Sequence, residues 1–135
     1  MNRLSKHFLR SELADELTDE VVLAEGFLEK LEDLRVAYGF GMIVTDGCRS
    51  GETNDWLIRR GFKASPNSFH LMSNKHYDVR GTCAVDVARP NGILLHRLQK
   101  FASAADWSIG LGATFVHLDR RVDYTDDMEP VQYTY

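Results

Sequence analysis

Apolar residues recur at helical spacing from Val21 through Ala24, Phe27, Leu28, Leu31 and Leu34 to Tyr38, a stripe that predicts an amphipathic helix. Thr18 is the expected cap, Asp19 and Glu20 suit the positive end of the helix dipole, and Gly39 is a natural stop. Ahead of this helix, Leu4 to Leu13 reads as an N-terminal segment pinned by Phe8 and Leu13. Met42-Ile43-Val44-Thr45 predicts a short buried strand, and Asn54 to Arg60 a short helix closed by Gly61. From Phe62 to Gly81 the periodicity fades and Ser, Asn, Lys and Arg dominate, so a long loop is expected, functional or mobile as such loops are in compact domains. Ala84 to Ala88 reads as a buried strand. Pro90-Asn91-Gly92 leads into a helix with Ile93, Leu94, Leu98, Phe101 and Ala105 on its apolar side. Trp107 to Leu111 and Thr114 to Leu118 read as two strands joined at Gly112 in a hairpin. Residues from Asp123 on carry no clear pattern. Trp56 and Trp107 are expected in the core, and His7 and His96 on the surface or on helices. Helices mostly precede strands, which favours the α+β class, a small antiparallel sheet flanked by helices.

Residues 1–135 show no repeat, low-complexity tract or linker, so one domain is expected. A chain of this length buries roughly two-thirds of its unfolded surface. Hydrophobic residues make up 44% and charged residues 27%, which places it among soluble globular proteins rather than disordered ones. A net charge of -4 argues against nucleic acid as a partner, which needs a basic face. No apolar run approaches the ~20 residues of a membrane span. The N-terminus, Met1 to His7, lacks the apolar stretch of a signal peptide, which predicts synthesis in the cytoplasm. Cys48 and Cys83 are the only cysteines, too few for a disulfide scaffold or a cysteine zinc site, and both are expected as reduced thiols.

The candidate chemistry lies in two short segments. His70 follows Pro66-Asn67-Ser68 in a polar loop, where an imidazole has little core to fill. Asp86 sits inside the apolar run Ala84-Val85-Asp86-Val87-Ala88, and burying an unpaired carboxylate there would be costly. His117 lies beside Phe115 and Val116 in a similar run. Each residue alone reads equally as a hydrogen-bonded core polar group. Together they favour a metal site: two histidines and a carboxylate can hold a zinc ion and leave a coordination position open for water.

These pieces resemble the zinc D-alanyl-D-alanine carboxypeptidases and L-alanyl-D-glutamate endopeptidases of bacterial cell walls, related in fold to the vancomycin-resistance dipeptidases and the hedgehog signalling domain. The resemblance is carried by Leu4-Ser5-Lys6-His7-Phe8 with Ser11-Glu12-Leu13, by Ile43-Val44-Thr45-Asp46-Gly47-Cys48-Arg49-Ser50, by Pro66-Asn67-Ser68-Phe69-His70-Leu71, by Ala84-Val85-Asp86-Val87 and by Phe115-Val116-His117-Leu118-Asp119. Five pieces in the same order span nearly the whole chain. The resemblance implies that His70, Asp86 and His117 are zinc ligands and that Arg49 lines the cleft and binds a substrate carboxylate or carbonyl. A guanidinium suits that task through its fork of donors; the alternative for Arg49 is a structural salt bridge. Ser68 is expected to hydrogen-bond the loop or a ligand.

The chain departs from that family at three places. His70 and Asp86 stand sixteen residues apart, further than in relatives, and the inserted stretch Ser73 to Gly81 contains His76, an alternative first ligand, and Asp78. A nine-residue insertion is tolerable because loop closure costs grow slowly with length, and it is expected to act as a flap. Thr82 replaces a glycine. Leu111 and Thr114 stand where many relatives carry an acidic general base, so Asp119 is the nearest replacement, with Asp78 a weaker one. On a regular strand Asp119 shares the side of His117, and it reads equally as a group that orients that ligand. The expected function is that of a monomeric zinc metallopeptidase cleaving peptidoglycan stem peptides or crosslinks, as a phage lysis or virion-associated enzyme or a bacterial enzyme exported by other means. The alternative is a non-catalytic phage structural or cell-wall-binding protein that keeps the fold.

Overall fold

In the computed structural model, which describes residues 2–135, one sheet face is apolar and packs against helices while the other carries polar side chains. The elements in chain order are α1 (Arg10–Leu13), α2 (Phe27–Tyr38), β1 (Val44–Asp46), α3 (Gly51–Arg59), β2 (Ser73–Asn74), β3 (Val79–Arg80), β4 (Ala84–Ala88), α4 (Gly92–Ala104), β5 (Ser108–Leu111), β6 (Phe115–Asp119), α5 (Arg121–Tyr124) and β7 (Gln132–Thr134). Five strands form one sheet in the order β1-β4-β6-β5-β7, and β2 and β3 pair as a separate hairpin. The class is α+β. The sheet is mixed rather than purely antiparallel, because β7 runs parallel to β5 at the edge.

Alternation along the strands separates the two faces. Val85, Val87, Ile109, Val116 and Leu118 point into a core shared with Phe27, Leu31 and Leu34 of α2 and Leu98 and Ala102 of α4. Burying each such aliphatic side chain contributes about 1.5–3 kcal/mol. Asp86, His117 and Asp119 point the other way. Trp107 is buried and meets Phe27 edge-on at 5.8 Å. Trp56 departs from expectation: it is 40% exposed, stacks on Phe62 and lies beneath the Arg60 guanidinium. Both cysteines are buried free thiols.

Three boundaries move for tertiary reasons. The long helix begins at Phe27, not near Thr18. Thr82 donates its backbone N–H to Val22 and accepts from Ala24, so this segment is held extended by a distant partner. Thr18 instead closes a turn on Asp15, whose carboxylate accepts its N–H at 2.9 Å and its hydroxyl at 2.8 Å. Helix α3 begins at Gly51 rather than Asn54 because Ser50 caps it, accepting from the Thr53 N–H at 3.1 Å. The C-terminal tail, patternless in sequence, supplies β7. At the other end, Ser5 and His7 converge on Glu32 of α2, and Phe8 and Leu13 are fully buried.

Asp15 ties the N-terminal segment to the start of α3, since its other oxygen accepts the Ser50 N–H at 2.8 Å. Burial pushes this carboxyl up, but hydrogen bonds from Ser50, Thr53 and Thr18 outweigh that and hold its pKa at about 2 against an ordinary 3.8. A depressed carboxylate stabilises the fold fully above its unfolded value and loses that contribution as pH falls through the folded one. Asp15→Ala is therefore expected to cost roughly 1–3 kcal/mol at neutral pH. Its melting temperature should converge on that of the parent as pH falls from 3.8 toward about 2. A constant gap between the two proteins through that range would show that the carboxylate charge is not what stabilises the turn.

Candidate metal centre

The site is assembled from one transverse row of the sheet and one loop. Asp46 of β1 pairs with Asp86 of β4, Asp86 with His117 of β6, His117 with Gly110 of β5, and Gly110 with Tyr133 of β7. Paired residues face the same side of a sheet, so the row projects its side chains from the face opposite the core. His70 reaches this row from the loop before β2. Its position is fixed by backbone bonds: its carbonyl accepts from the Arg49 N–H at 2.9 Å and the Thr82 hydroxyl at 2.7 Å, and its N–H donates to Ser68 Oγ at 3.1 Å. Thr82 thus helps to hold the His70 loop.

His70, Asp86 and His117 offer three ligand atoms within 4.8 Å of one another, and this group can hold a metal ion. His70 Nε2 lies 3.0 Å from Asp86 Oδ1 and 3.2 Å from His117 Nδ1, and His117 Nδ1 lies 3.0 Å from the same carboxylate oxygen. The outer nitrogens decide what faces inward. His70 Nδ1 lies 2.8 Å from the Gly47 carbonyl, which only accepts, so that nitrogen carries the proton. His117 Nε2 lies 2.8 Å from Asp119 Oδ2, already held by Arg121, and it likewise donates. In the neutral imidazoles the two remaining lone pairs therefore point at each other and at a carboxylate. Such a convergence of acceptors needs a cation at its centre.

The charges reflect the same demand. Burial pushes Asp86 up, but the neighbouring His70 and hydrogen bonding to His117 hold it far below the usual carboxylate range. Burial alone would keep His117 neutral, yet its bonds to Asp119 and Asp86 raise its pKa from 6.5 to about 9. Asp119 is fully buried. Despite that burial, His117 and Arg121 hold its pKa at about 2. One of its oxygens accepts from the Arg121 backbone and Nε, the other from His117 and Arg121 Nη2. With both oxygens engaged, no exposure and no place in the lining of the cavity, Asp119 is placed to hold the His117 ring.

A cavity of about 300 Å³ opens onto the three candidate ligands. Arg49 lines it and also forms the salt bridge foreseen as its alternative: it is paired with Asp46, bonded to Asn54 Oδ1 at 3.0 Å and to Ser68 Oγ at 3.4 Å, and its buried Nε has no partner. Ser68 accordingly serves the loop. His76 and Asp78 are exposed on the β2–β3 hairpin and join neither the candidate ligand group nor the cavity lining. The insertion is not a structureless flap. Asn74 is buried and donates to the Asn67 and Ser68 carbonyls at 2.9 and 3.2 Å while accepting from the Tyr77 N–H. Val79 is also buried, and Tyr77 stacks on Phe69 at 5.0 Å as part of the cavity wall. Lys63, Tyr133 and Tyr135 complete that wall. Sequence reading passed over both tyrosines, because a three-residue edge strand leaves no periodic signal.

Compared with protein-family models, with curated proteins and with solved structures, the chain gives no match.

Two outcomes follow from this geometry. Asp119→Ala removes the acceptor that fixes the His117 tautomer, so metal affinity should fall about 10–100-fold in a chelator competition. Unchanged affinity would mean that His117 is oriented by something else. In the metal-free protein His117 carries a proton up to about pH 9, so metal uptake at neutral pH should release close to one proton. Calorimetry in buffers of different ionisation enthalpy reads this directly, and zero release would show that His117 is already neutral in the metal-free protein.

Proposed function

We propose that this protein is a zinc-dependent metallopeptidase of the hedgehog-related D-alanyl-D-alanine carboxypeptidase and L-alanyl-D-glutamate endopeptidase type, cleaving peptide bonds in bacterial peptidoglycan in phage lysis or from a virion. The observation that carries this reading is the inward-facing set of two imidazole lone pairs and one carboxylate oxygen, 3.0–3.2 Å apart. Zinc bound tetrahedrally at about 2.0–2.1 Å spaces its ligands roughly 3.3 Å apart, so small side-chain shifts suffice to admit it. Three protein ligands leave one position open, as in catalytic rather than structural zinc sites. When bound, zinc supplies Lewis acidity and lowers the pKa of water toward neutrality.

The chain's own residues have separate tasks. His70, Asp86 and His117 hold the ion. Asp119 and the Gly47 carbonyl fix which nitrogen of each histidine is free to bind it. Arg49, clamped by Asp46, Asn54 and Ser68, presents a fixed guanidinium on the cavity wall for a peptide carbonyl or carboxylate. Lys63 is exposed at the same wall and has no ion-pair partner among the described residues, which suits the acidic stem peptide. A second hollow of about 410 Å³, sharing Arg49, Lys63 and Asp86 with the first, extends the cleft past Leu57 and Phe62. A cleft continuing beyond the ligand group accommodates a peptide longer than a dipeptide.

Purified protein is expected to hold close to one zinc per chain, and His117→Ala should lower both zinc content and melting temperature. Zinc binding by His117→Ala and Asp86→Ala equal to the parent would refute the ligand assignment. The zinc-loaded protein incubated with peptidoglycan should release peptide fragments or free crosslinks, identified by mass spectrometry, without new reducing sugar ends. Glycan cleavage would overturn the substrate class. Full zinc loading with no cleavage of any wall type would identify the protein as a non-catalytic wall-binding or structural descendant.

A further inference from the structure

The C-terminal strand β7 brings two phenols to the metal group. Gly110 lies between His117 and Tyr133 in the sheet row. A Cβ at Gly110 would stand 2.7 Å from Tyr133 Cε2 and Cζ and 2.9 Å from its hydroxyl. The phenol ring therefore lies across the glycine, reaching inward from the sheet edge, and its centroid is 6.3 Å from that of His117. Only a residue without a side chain leaves room for this crossing. The Tyr133 and Tyr135 hydroxyls are 3.4 Å apart, and both rings line the cavity that holds the three candidate ligands.

Two hydroxyls joined by one hydrogen bond use one proton between them, so the pair keeps one O–H free to donate. Lys63 lines the same cavity as an exposed cation, whereas the two guanidinium groups are already engaged. Arg121 is bound twice over to Asp119, and Arg49 to Asp46, Asn54 and Ser68. No carboxylate other than Asp86 lines this cavity. A phenol ordinarily titrates at about pH 10, so both hydroxyls are protonated donors at neutral pH.

We propose that Tyr133, positioned by Gly110 and partnered by Tyr135, donates its phenolic hydrogen bond to the oxygen of a carbonyl-type ligand held at the His70–Asp86–His117 group. Building on the peptidase reading, Tyr133 is the donor that meets negative charge as it develops on the scissile carbonyl oxygen. No bond to the phenol breaks; the hydroxyl shortens its hydrogen bond as that charge grows. Loss of one such preorganised donor slows turnover by about 10²–10³-fold in other hydrolases.

The test uses the zinc-loaded full chain and acetohydroxamate, a small oxygen ligand for zinc whose binding does not require peptidase activity. Tyr133→Phe should keep the parental zinc content and melting temperature while binding acetohydroxamate roughly 10–100-fold more weakly by calorimetry. Tyr135→Phe should weaken binding less, and Gly110→Ala, which displaces the ring but keeps the hydroxyl, should mimic Tyr133→Phe. If the parent cleaves peptidoglycan, Tyr133→Phe should lower kcat with little change in KM. Equal hydroxamate affinity in Tyr133→Phe and the parent, or no binding by the parent, overturns the donor role. Weakened binding in Tyr133→Phe with no peptidoglycan cleavage by the parent upholds the donor role and removes the peptidase reading instead.

Discussion

Three hydrogen-bond acceptors facing one point govern this structure. His70 and His117 are each tied from behind, by the Gly47 carbonyl and the Asp119 carboxylate, so that their free nitrogens turn toward Asp86. Such an arrangement is unfavourable unless positive charge sits among the three, as a proton or a metal ion. Much of the surrounding structure serves to keep those groups in place. Arg121 neutralises Asp119, Thr82 and Arg49 hold the His70 backbone, and Gly47 lets β1's end approach Leu13 so closely that a Cβ would lie 2.8 Å from Leu13 Cα.

The sheet makes this possible by dividing labour between its faces. Valines, leucines and isoleucine on one side pack against α2 and α4, while the alternate positions on the other side carry Asp46, Asp86, His117 and Asp119. A rigid, buried core behind the strands holds the Cα positions of Asp86 and His117, so the ligand spacing is set by strand register rather than by a flexible loop. Only His70 comes from a loop, and that loop is held by hydrogen bonds from Arg49, Thr82 and Asn74. The inserted hairpin adds to this support through Asn74 and contributes Tyr77 to the cavity wall, while its exposed His76 and Asp78 stay clear of the ligands.

Among the described residues no helix is long and apolar enough to cross a membrane. The cleft is lined by the cationic Arg49 and Lys63 and by the aromatic Phe115, Tyr133 and Tyr135. That mixture of cationic and aromatic side chains is the basis on which a peptide bearing carboxylates is proposed as substrate.

Local pattern was enough for much of this. Alternation in Ala84-Val85-Asp86-Val87-Ala88 and Phe115-Val116-His117-Leu118-Asp119 declared two strands with polar groups on one face, and it put Asp119 on the side of His117. The helical stripe from Phe27 to Tyr38, the hairpin turning at Gly112 and the grouping of His70 with Asp86 and His117 were equally legible, because each rests on spacing or on the cost of burying a polar residue. What the sequence could not contain were effects that depend on distant partners. Thr82 keeps Val22 to Ala24 out of the helix, Arg121 and His117 occupy both oxygens of Asp119, and Asn74 turns a polar insertion into an anchored hairpin. The clearest case is β7: three residues with no periodicity become a strand only because β5 offers a parallel edge, and Tyr133 reaches the site only because Gly110 leaves space. Side-chain alternation is a property of neighbouring residues and can be read along the chain, whereas hydrogen-bond partnership and room for a ring arise only when strands far apart in sequence meet.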